Sequence, residues 1–291
     1  MNDPRTIRVH YLLRAAILLL FALFIAHLVR QDALHYYVAP RLARWVRLCP
    51  LPLVLMSLSL ALQALFGKRG DLCDCEHRLP ASGAAGGALY SLFLFPLLLG
   101  LLLPDRALGS AAAAKKGFEF AYTSPETGSR RQADFRAEDP YKAEFAELAS
   151  RLHLLPVVPV QPEIFSETIG ALNLYKEQFA GRTVQVTGFL YRERGAGGID
   201  MFAVSRFLVQ CCTADATPVG IMLHPQTPIS LPADTWIQVR GKLEVVAYGD
   251  GEIMGLVPET ISTVPQPATP YVYTSADSVA AWDELSQKAA Y

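Results

Sequence analysis

Two adjacent cysteines, Cys211 and Cys212, are the residues whose type and spacing most clearly carry chemistry. A disulfide between neighbours closes a small, strained ring, so the pair is a poor structural staple. Two thiols side by side can instead hold a soft metal ion, take part in redox chemistry, or fill a strand end as small apolar groups. The pair lies between an apolar run that ends at Val209 and a polar turn that contains Asp215. We expect Asp215 to form an Asx turn and Arg206 to pair with its carboxylate.

A second set of metal-ligand residue types, Cys73, Cys75 and His77, alternates with acidic residues between two apolar segments. Thiolates and imidazole together suit zinc or copper(I). The one-residue spacing differs from the Cys-x₂₋₄-Cys spacing of ordinary structural zinc sites, and in an extended segment the three side chains would share one face. Two interpretations stay open: a metal site for zinc or copper, and a solvated acidic loop with incidental thiols.

Composition limits the classes of function. The chain of 291 residues is 52% hydrophobic, with the excess before residue 104, and its net charge is -1. This charge balance gives no global basic field, so a nucleic acid is not expected as a partner. The five cysteines are odd in number and tightly clustered, which does not fit a secreted disulfide framework. No Gly-rich phosphate loop, Ser-x-x-Lys or His-Glu-x-x-His pattern occurs, so we expect no enzymatic activity and assign no catalytic residue.

Residues 1–104 form a predicted membrane region with helices at about 11–29, 46–66 and 86–103. Three helices cannot enclose a pore, so a transport function would require a larger partner in the same lipid bilayer. The Lys and Arg counts on the two sides of the helices are nearly equal. We place the amino terminus inside, which makes the chain a multi-pass cell-membrane protein with its soluble domain outside the cytoplasm.

Residues 105–160 are predicted to be a linker with one amphipathic helix, whose apolar stripe runs from Tyr141 to Leu155. Residues 161–265 contain short alternating runs of β-forming residues with turn signals between them, which is typical of a small OB-like barrel. The predicted fold is therefore three membrane helices plus an α+β soluble domain with an antiparallel OB-like barrel, followed by a C-terminal tail at 266–291. The expected strands are 183–191, 201–209, 219–224, 235–246, 252–257 and 261–264.

One motif also resembles a known family. It is Cys211-Cys212-x-Ala214-Asp215, with Arg206-Phe207 before it and Pro218-Val219-Gly220 after it. Three further segments support the resemblance: 181–189, 236–241 and 270–273. Together they resemble the soluble domain of the YcgQ-type family, described as subunits of two-component membrane permeases. The resemblance implies a multi-helix, permease-type partner of the YcgR-like kind. It also implies a Cys/His-rich loop between the second and third helices, in which this chain has a single histidine, His77.

Three functions are compatible with these features, in the following order. The first is a non-enzymatic accessory subunit of a two-component membrane permease or transport system, with the soluble barrel presented at one membrane face. The second is a membrane protein that handles metal ions or thiols through the Cys73/Cys75/His77 loop or the Cys211–Cys212 pair. The third is a membrane-tethered OB-type module that binds a nucleic acid or a glycan.

Overall fold

The structure is a computed structural model that describes residues 4–66, 83–117, 135, 142–194, 200–248 and 251–289. It divides into two compact units, Met1–Arg106 and Ala107–Tyr291. The first unit is helical, and the second combines helices with a β-barrel.

The described part of the first unit contains helices α1 (Pro4–Arg30), α2 (Pro40–Val46), α3 (Pro50–Phe66) and α4 (Gly83–Leu102). Proline begins α2 and α3, where the missing N–H has no intrahelical partner to lose. Three stretches, Arg8–Arg30, Pro40–Phe66 and Ala84–Leu102, are long and apolar enough to cross a membrane. The three predicted membrane helices are therefore confirmed, although α1 and α4 begin earlier than their apolar patterns indicated.

Small residues and polar groups hold the membrane helices together. Ser57 of α3 is buried and its Oγ donates a hydrogen bond of 2.7 Å to the carbonyl of Ala15 on α1. Gly100 of α4 faces the ring of Phe24, and a Cβ at this glycine would lie 2.5 Å from the Phe24 Cζ atom. Close helix contact in an apolar medium depends on such small residues, because no hydrophobic effect drives helices together there.

The second unit is centred on a closed barrel of five strands: β2 (Thr183–Arg194), β3 (Asp200–Leu208), β4 (Thr217–Leu223), β5 (Trp236–Tyr248) and β6 (Gly251–Thr263). Neighbouring strands follow the order β2-β3-β4-β6-β5, and β5 pairs with β2 to close the barrel. This Greek-key order is that of an OB-type barrel, so the predicted OB-like fold is confirmed.

The sequence predicted an antiparallel barrel, but one pair of neighbouring strands in the barrel is parallel. Strand β5 is antiparallel to both β2 and β6. Strand β6 consequently runs in the same direction as β4, and the two pair in parallel. A further strand, β1 (Val157–Val160), pairs in parallel with the first residues of β2. It covers the part of that edge which β3 leaves free.

Strand β6 is continuous where the sequence predicted two strands with a break before Ile261. The predicted break contains Pro258, which lacks the N–H that a ladder requires. The structure accommodates this proline at an irregularity: the register with β5 shifts between Arg240 and Gly241, and Gly241 is the partner of Pro258. A bulge thus allows one long strand to contain a proline.

The segments predicted as linker and tail also contribute to the second unit. Helix α5 (Ser110–Lys116) contacts β2 and β4, while α6 (Ala143–His153) packs on α7 (Phe165–Leu174) and on α9 (Ser278–Ala289). Helix α8 (Lys176–Phe179) follows α7 and contacts β5. The side chain of Glu144 on α6 accepts hydrogen bonds from the backbone N–H and the hydroxyl of Ser278, the first residue of α9.

The barrel interior is filled. Phe165, Ile169 and Leu172 of α7 are fully buried in the same apolar core as strand side chains such as Val204 and Val239. Close packing of this kind leaves few voids larger than a water molecule. Functional groups of this unit must therefore be sought on its surface and in its loops.

Candidate functional site

The two adjacent cysteines lie in the loop 209–216, which connects β3 to β4. The start of this loop is fixed by the C-terminal segment, because Val209 and Val272 are joined by a backbone hydrogen bond of 3.0 Å and Leu208 bridges to Val272. The end of the loop is fixed by Ala216, which is buried. The thiols between these anchors are free, with Cys211 exposed and Cys212 half-buried.

Asp215 organises the loop through its carboxylate. One oxygen, Oδ1, accepts the backbone N–H of Gln210 at 3.0 Å, and Oδ2 accepts those of Cys211 at 2.8 Å and Cys212 at 3.3 Å. These donors precede Asp215 in the chain, so the interaction differs from the predicted Asx turn, in which the side chain bonds backbone groups that follow it. The carboxylate holds the backbone of both cysteines in place.

The side chains of the loop converge. The two Sγ atoms are 3.8 Å apart, and both lie within 4.8 Å of a carboxylate oxygen of Asp215 and of each other. A disulfide requires about 2.05 Å between its sulfurs, so the two sulfurs are not bonded to each other in this structure.

Charge and hydrogen bonding set the protonation state of this group. The hydrogen bond to Asp215, with a further contribution from Cys212, raises the pKa of the Cys211 thiol to about 11. The same thiol, followed by the three backbone N–H groups, lowers the pKa of Asp215 to about 2. At neutral pH a thiol therefore donates to a carboxylate, and Cys211 is a weak nucleophile because only the thiolate reacts.

Arg206 does not form the predicted pair with Asp215. Its guanidinium is buried, and it donates to the backbone carbonyls of Thr269 at 2.7 Å and Pro270 at 3.3 Å. It also lies over the ring of Trp236, 5.4 Å from the centroid. Burial lowers the pKa of Arg206 to about 10. The predicted pair of Arg206 and Asp215 was wrong, because Arg206 lies within β3 and Asp215 lies in the loop after it. Arg206 instead holds the C-terminal segment against the barrel.

The segment that follows the third membrane helix also reaches this loop. Lys116, at the end of α5, donates to the carbonyl of Ala214 at 2.8 Å. At the start of α5, the backbone N–H of Ser110 donates to Asp234 Oδ1 at 2.5 Å, and the Ser110 hydroxyl donates to the carbonyl of Leu190. Sequence reasoning missed Asp234. The available signal was its position in a Pro-Ala-Asp turn, where Asp tolerates the left-handed conformation that it adopts here with φ of 67°.

The other predicted ligands are not brought to this site. Cys73, Cys75 and His77 lie outside the described residues. His224, which follows β4, lies instead beside Glu244 on β5, with 2.8 Å between its Nδ1 atom and a carboxylate oxygen. The donor set of the loop thus consists of Cys211, Cys212 and Asp215.

Comparison with known proteins agrees with this two-part architecture. Residues 13–119 match the family described as DUF1980 N-terminal domain, and residues 135–274 match DUF1980 C-terminal domain. The chain is also 27% identical over 194 residues to the UPF0703 protein YcgQ of Bacillus subtilis (strain 168), covering 64% of this chain and 68% of that protein. The chain belongs to the YcgQ-type family. The resemblance seen in the sequence is therefore confirmed at the level of the family.

Family membership locates the candidate residues within two matched regions. Arg206 and the whole 209–216 loop lie in the C-terminal domain of the YcgQ-type family, and Cys73, Cys75 and His77 lie in its N-terminal domain. The N-terminal match extends to residue 119 and so includes α5, which contacts the barrel strands β2 and β4.

Proposed function

We propose that this protein is a non-enzymatic accessory subunit of a two-component membrane transport system, in which the barrel is presented at one membrane face beside a larger, multi-helix partner. The observation that carries the proposal is the combination of an outward-facing apolar helical unit with a barrel whose interior is filled. The first feature supports a partner within the membrane, and the second supports a role in docking or gating on the barrel surface.

The membrane helices leave most of their apolar surface uncovered. In the candidate spans, between 11% and 22% of the residues are buried within the protein. Large side chains such as Leu55, Leu92 and Phe95 are more than 60% exposed. Lipid can cover this surface, but partner helices can do so equally well, and three helices are too few to form a transport path.

The first residues of the second unit are bound to the barrel. The backbone N–H of Leu108 donates to the hydroxyl of Tyr271 at 3.0 Å. Ser110 and Lys116 add contacts to Asp234 and Ala214. These contacts fix the start of the second unit on the barrel surface, which supports a role for that surface in docking.

Co-purification tests the proposal. The tagged chain, co-expressed with a multi-helix partner encoded by the same host, is purified in mild detergent and its stoichiometry is measured by mass spectrometry of the intact complex. We expect a complex of defined stoichiometry and a lower abundance of this chain when the partner is deleted. A chain that always purifies alone, at an abundance independent of the partner, would contradict the proposal.

Topology is the second measurement. We propose that residue 200 lies outside the cytoplasm of a cell-membrane protein, and a reporter fused near this position distinguishes the two sides. A pair of reporters, one active outside and one active in the cytoplasm, gives a positive signal for either answer. Activity of the cytoplasmic reporter alone would reverse the proposed orientation.

A further inference from the structure

The sulfur atoms of the 209–216 loop are spaced as zinc ligands. In a tetrahedral site with Zn–S bonds of about 2.3 Å, two sulfurs lie about 3.8 Å apart. Cys211 Sγ and Cys212 Sγ are separated by 3.8 Å. An ion can therefore bind between them without rearrangement of the backbone that Asp215 holds in place.

The third donor identifies the class of metal ion. Asp215 provides a carboxylate oxygen within 4.8 Å of both sulfurs. Carboxylate is an ordinary zinc ligand, whereas copper(I) selects sets of thiolate and thioether donors and calcium or magnesium selects oxygen alone. A mixed set of two sulfurs and one oxygen is therefore most suitable for zinc.

The hydrogen bonds of Asp215 leave one place for a metal. An ionised carboxylate has about four lone-pair directions. Three accept backbone N–H groups, from residues 210–212. The remaining direction is available to a metal ion that the two nearby sulfurs also bind. The three backbone donors would remain and orient the carboxylate, as outer-shell groups do in metal sites.

We propose that Cys211, Cys212 and Asp215 bind one Zn²⁺ ion, with a fourth coordination position open to water or to a ligand supplied by a partner. Binding releases the two thiol protons to solvent and forms two Zn–S bonds and one Zn–O bond, with no change of oxidation state. The exposure of Cys211 makes the open position accessible. The site rests on the geometry of the loop and does not depend on the proposed transport role.

The test uses the full-length protein in detergent, reduced and freed of metal, with Cys73→Ser, Cys75→Ser and His77→Ala as the parent background. This background removes the other candidate ligands. Zn²⁺ is titrated against a fluorescent zinc chelator, and Co²⁺ replaces it in a parallel titration in which thiolate-to-cobalt charge-transfer absorption reports sulfur ligation. We expect the parent to bind one Zn²⁺ per chain and to show this absorption with Co²⁺.

Single variants then assign the ligands. Loss of an outer-shell group costs about 10- to 100-fold in metal affinity, and loss of a direct ligand should cost at least as much. We therefore expect Cys211→Ser and Cys212→Ser each to weaken zinc binding by roughly 100-fold or more. Asp215→Asn should weaken binding but retain the thiolate-to-cobalt absorption. The matched control is Cys49→Ser, which removes an exposed cysteine from the membrane unit and should leave the affinity unchanged.

Two outcomes would overturn the proposal. One is a parent protein that binds no Zn²⁺ and shows no thiolate-to-cobalt absorption. This result would not depend on whether any variant in the loop folds. The other is zinc affinity in Cys211→Ser and Cys212→Ser equal to that of the parent. A parent that binds copper(I) tightly but not Zn²⁺ would count as the first outcome.

Discussion

Strand β3, which leads into the cysteine loop, is held between two glycines, and replacing one of them tests the barrel directly. Gly188 of β2 and Gly220 of β4 both face the backbone of Ser205. A Cβ at Gly220 would lie 2.9 Å from the Ser205 Cα atom and closer still to the carbonyl oxygen of Val204. Because both obstacles are backbone atoms, no side-chain rotation can relieve the contact. The proposed change is Gly220→Ala.

The magnitude follows from this geometry. Ordinary van der Waals contact begins at 3.4 Å, so β4 must move away from β3 along the pairing that joins Ser205 to Gly220. Overpacking of this kind costs about 1–3 kcal/mol, and each ladder hydrogen bond lost adds about 1 kcal/mol. Alanine lowers the entropy of the unfolded chain, which offsets about 0.4–1 kcal/mol. With one such bond lost, we expect the free energy of unfolding of the barrel to fall by about 1–4 kcal/mol.

Hydrogen exchange of the full-length protein in detergent measures this change for the barrel separately from the membrane helices. For amides that exchange by unfolding of the barrel, about 1–4 kcal/mol corresponds to exchange roughly 5- to 700-fold faster. The matched control is Gly251→Ala at the start of β6, where a Cβ would meet nothing within 4 Å. Its effect should stay within about 0.5 kcal/mol. Equal exchange in the two variants would refute the proposed contact between β3 and β4.

Three further changes probe the contacts around the barrel. Burial raises the pKa of Glu167 above its ordinary value of 4.5, so the folded protein binds the proton more tightly than the unfolded chain does. Stability should therefore fall as pH rises from 4.5 through the folded pKa. Glu167→Gln should abolish this dependence, as measured by thermal melts at a series of pH values. Asp234→Ala loses the acceptor of the Ser110 N–H and places alanine at positive φ, so exchange at Ser110 should increase, whereas Asp234→Asn should preserve protection. In Arg206→Lys, the lysine cannot span both carbonyls that the guanidinium contacts. Hydrogen exchange should show a loss of about 1–3 kcal/mol of barrel stability. Unchanged protection near Thr269 would contradict this prediction.

The features that the sequence reveals are those that depend on local composition. The length of the apolar runs predicts the three membrane helices, because a helix that spans the bilayer needs a minimum number of apolar residues. Alternation of β-forming residues predicts the strands from Thr183 onward, since one face of each is buried in the barrel. The predicted break after residue 257 was wrong, because the bulge that accommodates Pro258 opposite Gly241 depends on the partner strand and not on the sequence near the proline.

The arrangement of the candidate site required the three-dimensional structure. Closeness in the chain indicated that Arg206 and Asp215 pair, but the end of β3 separates them. The barrel closure instead brings residues 269 and 270 to Arg206. The docking of α5 was likewise invisible, because Ser110 and Asp234 are 124 positions apart. An Ala-rich stretch followed by two lysines gives no indication of a contact at that separation.

A filled barrel, a tightly held strand and an accessible loop together indicate how this unit can act. The described core of the barrel is filled by apolar side chains, and the glycines beside Ser205 allow little movement of β3 against its neighbours. The end of β3 is then tied to Val272. A loop carried on such a strand presents its donors in a fixed place, which lowers the entropic cost of binding. Zinc binding at Cys211 and Cys212 should therefore weaken in the Gly220→Ala variant, even though this residue lies outside the loop. If affinity were instead unchanged while the barrel is destabilised, Asp215 alone would suffice to organise the ligands.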